Sequence, residues 1–387
     1  MRVVIDARPA LDPHRTGIGL YTAAVLRHVP AADPTSRYVA WYLDVRGTFS
    51  NRRWFRGWAP NLSERATRIP TRAFAPVSVR ANVPRLEWLA GRFDVAVATN
   101  FLPPPTRSRG VVLVVHDLAF DHHPETAPHH NVRWRGMFDH WLGRAAGVIV
   151  PSAATRDDLL RFHEVDPGRI AVVPHGTDAE AFHPAKPDEI AAVRRRHGIG
   201  ERYVLFLGGL EPRKNLEPLV RAFGQLADVD AWLVIAGGEV RWAPGYAGEV
   251  ERAIAALPPE RRARVVRTGY VADEERRALL SGAEVLAYPS RYEGFGFPVL
   301  EAFAANVPVL TSDVSSLPEV AGDAAVLVDP GDATAIAAGL DELLGDADLR
   351  NVLRAAGTTR VATFTWERCA RLTVAALRAA HERASGG

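Results

Sequence analysis

Short runs of consecutive apolar residues alternate along most of the chain with longer segments in which apolar residues recur every three or four positions. Runs such as Val111–Val115 and Tyr203–Leu207 contain no charged residue, as is typical of parallel strands that are buried on both faces. Segments such as 153–162 and 216–226 have the spacing of amphipathic helices. This alternation predicts an α/β protein made of doubly wound parallel sheets.

The element bounds follow from the same pattern. In the first half, strands are predicted at residues 2–7, 38–43, 94–98, 111–115, 147–150 and 170–173. In the second half, strands are predicted at residues 203–207, 231–236, 264–267, 284–287, 307–310 and 325–328. Helices are predicted at residues 20–29, 153–162, 216–226, 298–305, 346–362 and 366–384.

Prolines in the segment Phe182–Pro187 indicate a linker between two domains. The predicted division is a first domain at 1–184, a second domain at 185–364 and a last helix within 365–387. A length of 387 residues, of which 47% are hydrophobic, is sufficient for two separate cores.

Composition and charge narrow the function classes. Lysine and arginine total 47 against 45 acidic residues, so the overall charge predicts no nucleic-acid partner. A single cysteine, Cys369, excludes an intrachain disulfide and suits a reducing compartment. The chain begins with a strand-like segment and contains no apolar run of about 18 residues, so neither a signal peptide nor a membrane span is predicted. We therefore expect a cytoplasmic protein.

The segment from Tyr288 to Glu301 is a candidate anion site. It joins a predicted strand to a helix that we expect to start at Pro298, and the N-terminus of a helix presents free N–H groups to an anion. Glu293 precedes this helix, and Glu301 falls in its predicted first turn. Ionised carboxylates pair well with hydroxyl groups, such as those of a sugar. The alternative is an ordinary surface loop in which Glu301 complements the helix dipole.

A second strand–turn–helix segment carries adjacent cations. Gly208 and Gly209 follow a predicted strand, and Arg213 and Lys214 follow the two glycines. The two cations are suited to holding a diphosphate. Lys214 is one of only two lysines in the chain, against forty-five arginines. The alternative is a solvated pair without a ligand.

Together the two segments resemble the retaining, nucleotide-sugar-dependent glycosyltransferases of family GT4, which have the GT-B fold. Glu293-x7-Glu301 matches the acidic signature of that family, and Gly208-Gly209-x3-Arg213-Lys214 matches its phosphate clamp. The resemblance extends from the first strand to the last helix. It implies two Rossmann-like domains that face a cleft, with the final helix crossing back onto the first domain.

The resemblance also implies an activity, which is transfer of a hexose from a donor such as GDP-mannose or UDP-glucose to an acceptor hydroxyl. The reaction would proceed with retention and without a metal or other cofactor, and Arg213 with Lys214 would neutralise the leaving diphosphate. The acceptor would be a carbohydrate, a lipid-linked sugar or a small molecule in glycoconjugate synthesis. A sugar-nucleotide epimerase and a silent nucleotide-binding scaffold remain alternatives, and the oligomeric state stays open.

The resemblance further assigns residues to roles. Glu293 would contact the donor sugar and Glu301 the ribose hydroxyls, while Val299 and Leu300 would offer N–H groups to the phosphate. The remaining residues assigned to the donor site of the second domain are Gly208, Gly209, Gly269, Tyr270, Val271, Gly294, Phe295 and Gly296. Among these, Gly269 to Val271 follow the predicted strand 264–267, in a loop that would lie along the nucleotide base.

The first domain contributes two candidate segments. Gly17 and Gly19 form a paired-glycine loop that makes either a plain turn or, as in the family, a contact with the sugar donor. His116 and Asp117 follow the strand 111–115, where ligands of open α/β sheets bind. His116 could donate to a sugar hydroxyl or to the leaving phosphate, and Asp117 would border the sugar pocket. Alternatively, Asp117 caps a loop and a backbone carbonyl satisfies His116.

Residues 46–92 interrupt the regular alternation. This segment contains ten arginines against two acidic residues, together with Trp54, Trp58 and Trp88. Such a composition suits an anionic membrane surface or a phosphorylated acceptor, which predicts peripheral contact with the inner face of the membrane. The alternative is a solvated loop region with Trp88 in the core.

Overall fold

The computed structural model describes residues 1–12, 17–44, 53–68, 83–124, 131–228, 230–240, 243 and 245–386, with backbone alone at 131–133. These residues form two compact units. The first comprises Met1–Leu118, His129–Gly176 and Trp366–Gly387. The second comprises Ala119–Pro128 and Thr177–Thr365. The domain boundaries that we predicted after residues 184 and 364 compare with boundaries after Gly176 and after Thr365 in the structure.

The first unit contains a seven-stranded sheet with the order β3-β2-β1-β4-β5-β6-β7, in which every pairing is parallel. Its strands are β1 (Arg2–Asp6), β2 (Arg37–Leu43), β3 (Leu62–Thr67), β4 (Val95–Ala98), β5 (Val111–Val114), β6 (Gly147–Val150) and β7 (Ile170–Val172). Its helices are α1 (Gly17–Ala32), α2 (Leu86–Ala90), α4 (Asn131–Arg144), α5 (Ala153–Phe162) and the final helix α15 (Trp366–Gly386). Helix α3 (Ala119–His122) groups with the second unit.

The second unit contains a six-stranded parallel sheet with the order β10-β9-β8-β11-β12-β13. Its strands are β8 (Tyr203–Leu207), β9 (Trp232–Ala236), β10 (Val265–Gly269), β11 (Val285–Tyr288), β12 (Val309–Ser312) and β13 (Ala325–Val328). The helices up to the centre of the unit are α6 (Pro187–His197), α7 (Leu216–Gln225), α8 (Tyr246–Ala255), α9 (Pro259–Arg262) and α10 (Asp273–Ser281). The later helices are α11 (Phe297–Ala304), α12 (Leu317–Ala321), α13 (Ala333–Gly345) and α14 (Ala347–Val361).

Each sheet is covered by helices and has its own apolar core. Strands β4, β5, β6, β8 and β11 are buried at every residue, because a parallel sheet that is covered on both faces excludes water from all its side chains. In the first unit, Val374 and Leu377 of α15 pack in the same core as Val112 of β5 and Ile149 of β6. The final helix therefore completes the core of the first unit.

The fold class predicted from the sequence is confirmed, since both units are Rossmann-like α/β layers. The helix α5 matches its predicted bounds, and the hydroxyl of its N-cap Ser152 accepts from the N–H of Thr155 at 3.1 Å. Among the described residues, no helix combines the length and apolar content that a membrane span requires.

The alternative interpretation of residues 46–92, a solvated loop region with Trp88 in the core, is wrong in two respects. Strand β3 lies within this segment and pairs with β2 at the sheet edge. Its polar sequence hides it from a search for apolar runs, because an edge strand needs only one buried face. Trp88 is not in the core, since it is 64% exposed and lies beneath the guanidinium of Arg85 at 5.1 Å. Residues 46–52 and 69–82 of this segment lie outside the described residues.

The loops after β8 and β9 approach each other so closely that one position accepts only glycine. A Cβ on Gly237, whose φ is +153°, would lie 1.8 Å from the carbonyl oxygen of Gly208. The N–H of Gly208 in turn donates to the carbonyl of Ala236 at 3.0 Å. Gly237 therefore fixes the position of the glycine turn that leads to Arg213 and Lys214.

We expect Gly237→Ala to destabilise the protein by about 2 kcal/mol or more, because the added methyl group collides with backbone rather than with a movable side chain. Gly136→Ala is the matched control, since Gly136 lies inside α4 and a methyl group added there would meet no heavy atom within 4 Å. The control should be neutral or stabilising by up to about 1 kcal/mol. Urea-induced unfolding measures both, and equal midpoints would contradict the close-approach argument.

Candidate active site

The two signature segments of the second unit meet because of sheet order. Strands β8 and β11 are neighbours although β9 and β10 lie between them in the sequence, and the strand order reverses at this point. Loops that leave the carboxyl ends of two such strands lie at the same edge, which is where open α/β sheets bind ligands. The loop after β8 carries Arg213 and Lys214, and the loop after β11 carries Glu293.

The carboxylate of Glu293 holds both cations. Its Oε1 accepts from Lys214 Nζ at 2.5 Å, and its Oε2 accepts from Arg213 Nη1 at 2.8 Å. Arg213 also pairs through Nη2 with Glu211 Oε1 at 2.8 Å. Lys214 and both glutamates are buried, and the two positive charges balance the two negative charges. We call Glu211, Arg213, Lys214 and Glu293 the charge cluster.

Tyr288, the last residue of β11, joins the charge cluster through its hydroxyl group. The hydroxyl donates to Glu293 Oε1 at 2.8 Å and accepts from Lys214 Nζ at 2.5 Å. Sequence reasoning did not assign a role to Tyr288 or to Glu211. Only their positions in the sequence could have indicated a role, since Tyr288 ends β11 and Glu211 follows the glycine turn after β8.

Burial and charge shift the pKa values of the charge cluster in a consistent way. Burial opposes ionisation of Glu293, but Arg213 and Lys214 outweigh it and lower the pKa of this carboxyl to about 2. Burial, with the neighbouring charge of Arg213, lowers the pKa of Lys214 while Glu293 opposes that change. Burial also raises the pKa of Tyr288 well above its ordinary value, and Glu293 adds to this effect. Glu293 is therefore ionised and Tyr288 is a neutral donor at neutral pH.

Hydrogen bonds from the backbone and from side chains connect the loop after β8 with the loop after β11 and order the latter. The N–H of Arg291 donates to the carbonyl of Arg213 at 2.8 Å, and Arg291 Nε donates to Asn215 Oδ1 at 2.8 Å. Asn215 has a φ of +62°, a conformation that asparagine tolerates better than most residues. Ser316 Oγ is 2.8 Å from the carbonyl oxygens of Glu293 and of Phe295. The carboxylate of Glu293 is thus held on an ordered loop.

Glu301 pairs with an arginine that does not belong to the charge cluster. It is 2% exposed, and its Oε2 accepts from Nη2 of Arg276 on α10. Burial raises the pKa of Glu301, while Arg276 opposes the shift. Helix α11 begins at Phe297, so Glu301 is its fifth residue and not part of the first turn as predicted. The ribose role of Glu301 stays a prediction.

Helix α11 begins directly after a glycine, as expected for an anion site, but one N–H group of its first turn already donates to a backbone carbonyl. Gly296 is the N-cap residue with a φ of +120°, and a Cβ there would lie 3.0 Å from Leu317 Cδ2. The N–H of Val299 donates to the carbonyl of Gly296 at 3.1 Å. Leu300 is fully buried beside it. The phosphate contacts proposed for Val299 and Leu300 stay predictions.

The other residues that are predicted to contact the donor in the second unit lie at the same edge of the sheet. Gly208 and Gly209 follow β8 directly, Gly294 belongs to the loop before α11, and Phe295 is buried against Phe364 with ring centroids 5.8 Å apart. Gly269 ends β10. Tyr270 is 67% exposed, whereas Val271 is buried. The exposed ring of Tyr270 therefore lies at the carboxyl end of β10.

His116 has a defined protonation state in the first unit. Its Nε2 lies 2.7 Å from the carbonyl oxygen of Thr99, so this nitrogen carries the proton and donates. Burial lowers the pKa of His116, against weaker contributions from Thr99 and Asp117. The neutral ring then has an acceptor at Nδ1. The alternative interpretation, in which a backbone carbonyl satisfies His116, therefore holds for Nε2, and contact of the ring with a substrate stays a prediction.

Helix α1 begins at Gly17, so Gly17 and Gly19 form its first turn and the predicted glycine loop is wrong for these two residues. Gly17 is exposed and Gly19 is buried, and contact of either glycine with a sugar donor stays a prediction. Residues 13–16, including Thr16 of the same segment, lie outside the described residues. Asp117 is half-buried directly after His116.

Two pairs of aspartates have the Asp-x-Asp spacing that often holds a metal. Asp228 accepts from Arg202 at 2.7 Å, and Asp230 accepts from the guanidinium of Arg264 at 3.2 Å. Asp346 caps α14 by accepting from the N–H of Leu349 at 2.8 Å, and Asp348 lies in the first turn of that helix. These carboxylates serve the fold in this structure. The expectation of a metal-free reaction therefore rests on Arg213 and Lys214.

Comparison with known proteins places both halves of the chain in one enzyme group. Residues 17–181 match the family described as Glycosyltransferase Family 4, and residues 189–360 match Glycosyl transferases group 1. The O-antigen chain mannosyltransferase B of Escherichia coli is 32% identical over 276 residues, which cover 70% of each chain. The MMP alpha-(1->4)-mannosyltransferase of Mycolicibacterium hassiacum is 32% identical over 254 residues, or 63% of this chain and 57% of that protein.

Solved structures share the fold over nearly the whole chain. A sucrose-phosphate synthase from Thermosynechococcus elongatus has a TM-score of 0.74 at 21% identity, with 97% of this chain and 98% of that chain covered. HepE from Anabaena, solved with UDP-glucose, has a TM-score of 0.70 at 16% identity, with 97% and 99% covered. These likenesses establish the fold.

We expect the ionised Glu293 to stabilise the folded protein at neutral pH and to lose this effect in acid. The folded-state pKa of Glu293, about 2, lies below its ordinary value of 4.5. The stabilisation is therefore fully present above about pH 4.5 and is lost as the pH falls toward 2, a change on the order of 3 kcal/mol. Unfolding free energies of wild type and Glu293→Gln should differ at pH 6 and converge near pH 2. Glu201→Gln, at an exposed position, should parallel the wild type, and a constant offset for Glu293→Gln would refute the assignment.

Proposed function

The chain belongs to the glycosyltransferases of group 1 and family 4, and on this premise we propose that it transfers a hexose of the mannose or glucose type. The donor is a nucleoside-diphosphate sugar such as GDP-mannose or UDP-glucose, and the acceptor is a hydroxyl of a carbohydrate, lipid-linked or small-molecule substrate. The reaction proceeds with retention at the anomeric carbon and without a metal. The product enters a polysaccharide, glycolipid or other glycoconjugate.

The charge cluster carries this proposal. Arg213 and Lys214 lie at the switch point of the second sheet, and the charge of the buried Lys214 attracts a diphosphate strongly because it is shielded from water. The carboxylate of Glu293 accepts hydrogen bonds from both cations. An arriving diphosphate competes for the same N–H groups and releases the carboxylate of Glu293, which is then available to the donor sugar. The exchange keeps both cations paired throughout, which avoids leaving the buried charge of Lys214 without a partner.

The chemistry then depends on charge that develops on the leaving group. As the bond to the sugar breaks, negative charge grows on the diphosphate oxygen, and Arg213 and Lys214 stabilise it more in the transition state than in the ground state. That oxygen acts as the base toward the acceptor hydroxyl. His116 contributes an acceptor at Nδ1 for a substrate hydroxyl, with its ring fixed by the bond to Thr99.

The proposed cellular setting is the cytoplasm, with peripheral contact at the inner face of the membrane through residues 46–92. Trp88 and Arg85 support this contact, because an exposed indole stacked with a guanidinium suits the interface of an anionic bilayer.

The activity test follows release of nucleoside diphosphate from a panel of nucleotide sugars. A donor at 100 times its dissociation constant should first raise the free energy of unfolding by about 2.7 kcal/mol. We expect Lys214→Ala to lower turnover by roughly 10²-fold, because it removes charge stabilisation at the leaving group. Lys186→Ala is the matched control, since Lys186 is the other lysine of the chain and is exposed.

Three outcomes would count against the proposal. Full turnover in a folded Lys214→Ala protein would remove the clamp from the mechanism. A product with inverted anomeric configuration by NMR would contradict retention. Loss of activity in EDTA that Mg²⁺ or Mn²⁺ restores would contradict metal independence.

The two glutamates should respond differently to loss of charge. Glu301→Gln should weaken binding of the nucleoside diphosphate by more than tenfold, since each charge-assisted bond to a ribose hydroxyl contributes roughly 1.5–3 kcal/mol. Glu293→Gln should leave that binding unchanged or tighter, because the diphosphate no longer competes with a carboxylate, while turnover falls. Calorimetric titration with nucleoside diphosphate and with intact donor compares the two. Equal weakening in both variants would mean that the pair only supports the loop.

A further inference from the structure

A cavity of about 450 Å³ in the first unit is lined by four arginines. The lining residues are Arg109, Arg144, Ala145, Ala146, Arg169, Arg383 and Ala384. Arg109 lies just before β5, Ala146 just before β6, and Arg169 just before β7. The cavity therefore lies at the amino ends of three adjacent strands. His116 follows the carboxyl end of β5, so the cavity is at the edge of this sheet away from the candidate active-site residues.

Two of the arginines are fixed by backbone carbonyls. Arg169 Nη1 donates to Gly143 and Ala145 at 3.2 and 3.1 Å, and Arg383 Nε donates to Ala146 at 2.7 Å. Helix α15 carries Arg383 to the cavity, and it can lie close to β6 because Gly147 has no side chain: a Cβ there would be 3.3 Å from Ala380 Cβ. These bonds hold two guanidinium groups in place before any ligand binds, which lowers the entropy lost on binding.

The charge around the cavity is unbalanced. Among the described residues that line it, four are cationic and none is acidic. Asp166 reaches Arg169 at its edge, with Oδ2 3.7 Å from Nε, and its side chain is mostly exposed. The C-terminus of α4 adds about half a negative charge, but Arg169 already satisfies carbonyls of that terminus. The described lining side chains therefore carry positive charge and no negative charge, in contrast to the charge cluster of the second unit, where the charges balance.

We propose that this arginine cavity is a second anion site, which binds a phosphate group in its dianionic form. Guanidinium groups present paired N–H donors that match two phosphate oxygens at once. A volume of about 450 Å³ is within the range of small-molecule sites and exceeds what one phosphate requires, so the phosphate can carry an organic substituent. The group can belong to a soluble phosphorylated compound or to a lipid headgroup. The proposal does not depend on the glycosyltransferase mechanism.

The test titrates inorganic phosphate calorimetrically at constant ionic strength into Lys214→Ala protein, in which the diphosphate site of the second unit is weakened. Saturable binding is expected, with acetate at the same concentration giving none. Adding Arg144→Gln should weaken phosphate binding roughly tenfold or more. Arg144 suits this change because its guanidinium lies over the ring of Trp141 on its own helix, at 5.8 Å, so the substitution leaves the carbonyl bonds of Arg169 and Arg383 in place.

Arg156→Gln is the matched control, because Arg156 belongs to the same unit and pairs with its neighbour Asp157 at the surface. It should leave phosphate affinity unchanged. Arg144→Lys keeps the charge but loses the two-pronged donor and should give intermediate affinity. Equal affinities for Arg144→Gln and Arg156→Gln, or binding that rises linearly with phosphate, would show attraction by surface charge alone and overturn the site.

The source of the phosphate is distinguished with vesicles. Sedimentation with phosphatidic acid vesicles but not with phosphatidylcholine vesicles, weakened by Arg144→Gln and not by Arg156→Gln, would identify a lipid headgroup. Saturable binding of free phosphate without such sedimentation would identify a soluble ligand. Both results support the site.

Discussion

The ion pairs that Glu293 makes with Arg213 and Lys214 are the interactions on which the candidate active site depends. Lys214, which is buried, and Arg213, which is 19% exposed, would be costly at the edge of a sheet without anionic partners. Glu293 and Glu211 supply those partners from two loops, and the hydroxyl of Tyr288 satisfies a further bond. In the function that we propose, an arriving diphosphate takes the place of Glu293 on the same two cations.

The sheet order is what allows this arrangement. Strands β8 and β11 are neighbours at the point where the strand order reverses, so their loops share one edge. Gly237 brings the loops after β8 and β9 into backbone contact, and Arg291 ties the loop after β11 to Arg213. The position of each charged atom thus follows from strands of the sheet and from loops that are bonded to one another.

The first unit shows how a backbone bond decides what a histidine can do. His116 was open to two interpretations, as a proton donor to substrate or as a ring satisfied by a carbonyl. The bond from Nε2 to Thr99 satisfies one nitrogen and leaves the other as an acceptor. Burial lowers the pKa of the ring and favours this neutral form. The bond to Thr99 therefore bears out the second interpretation, and contact of the ring with a substrate stays a prediction.

The sequence alone determined the fold class, most strand positions and the two signature segments, because buried parallel strands and glycine turns before helices leave strong local patterns. It did not reveal β3, since an edge strand with one buried face can be polar, or the exposure of Trp88. The pairing of Glu293 with Arg213 and Lys214, of Glu301 with Arg276, and of Arg383 with the strand ends of β6 was decided only by tertiary structure. These partners lie between 25 and 237 positions apart along the chain. Local patterns carry no information about such separations, because sheet order and helix packing determine which distant charges meet.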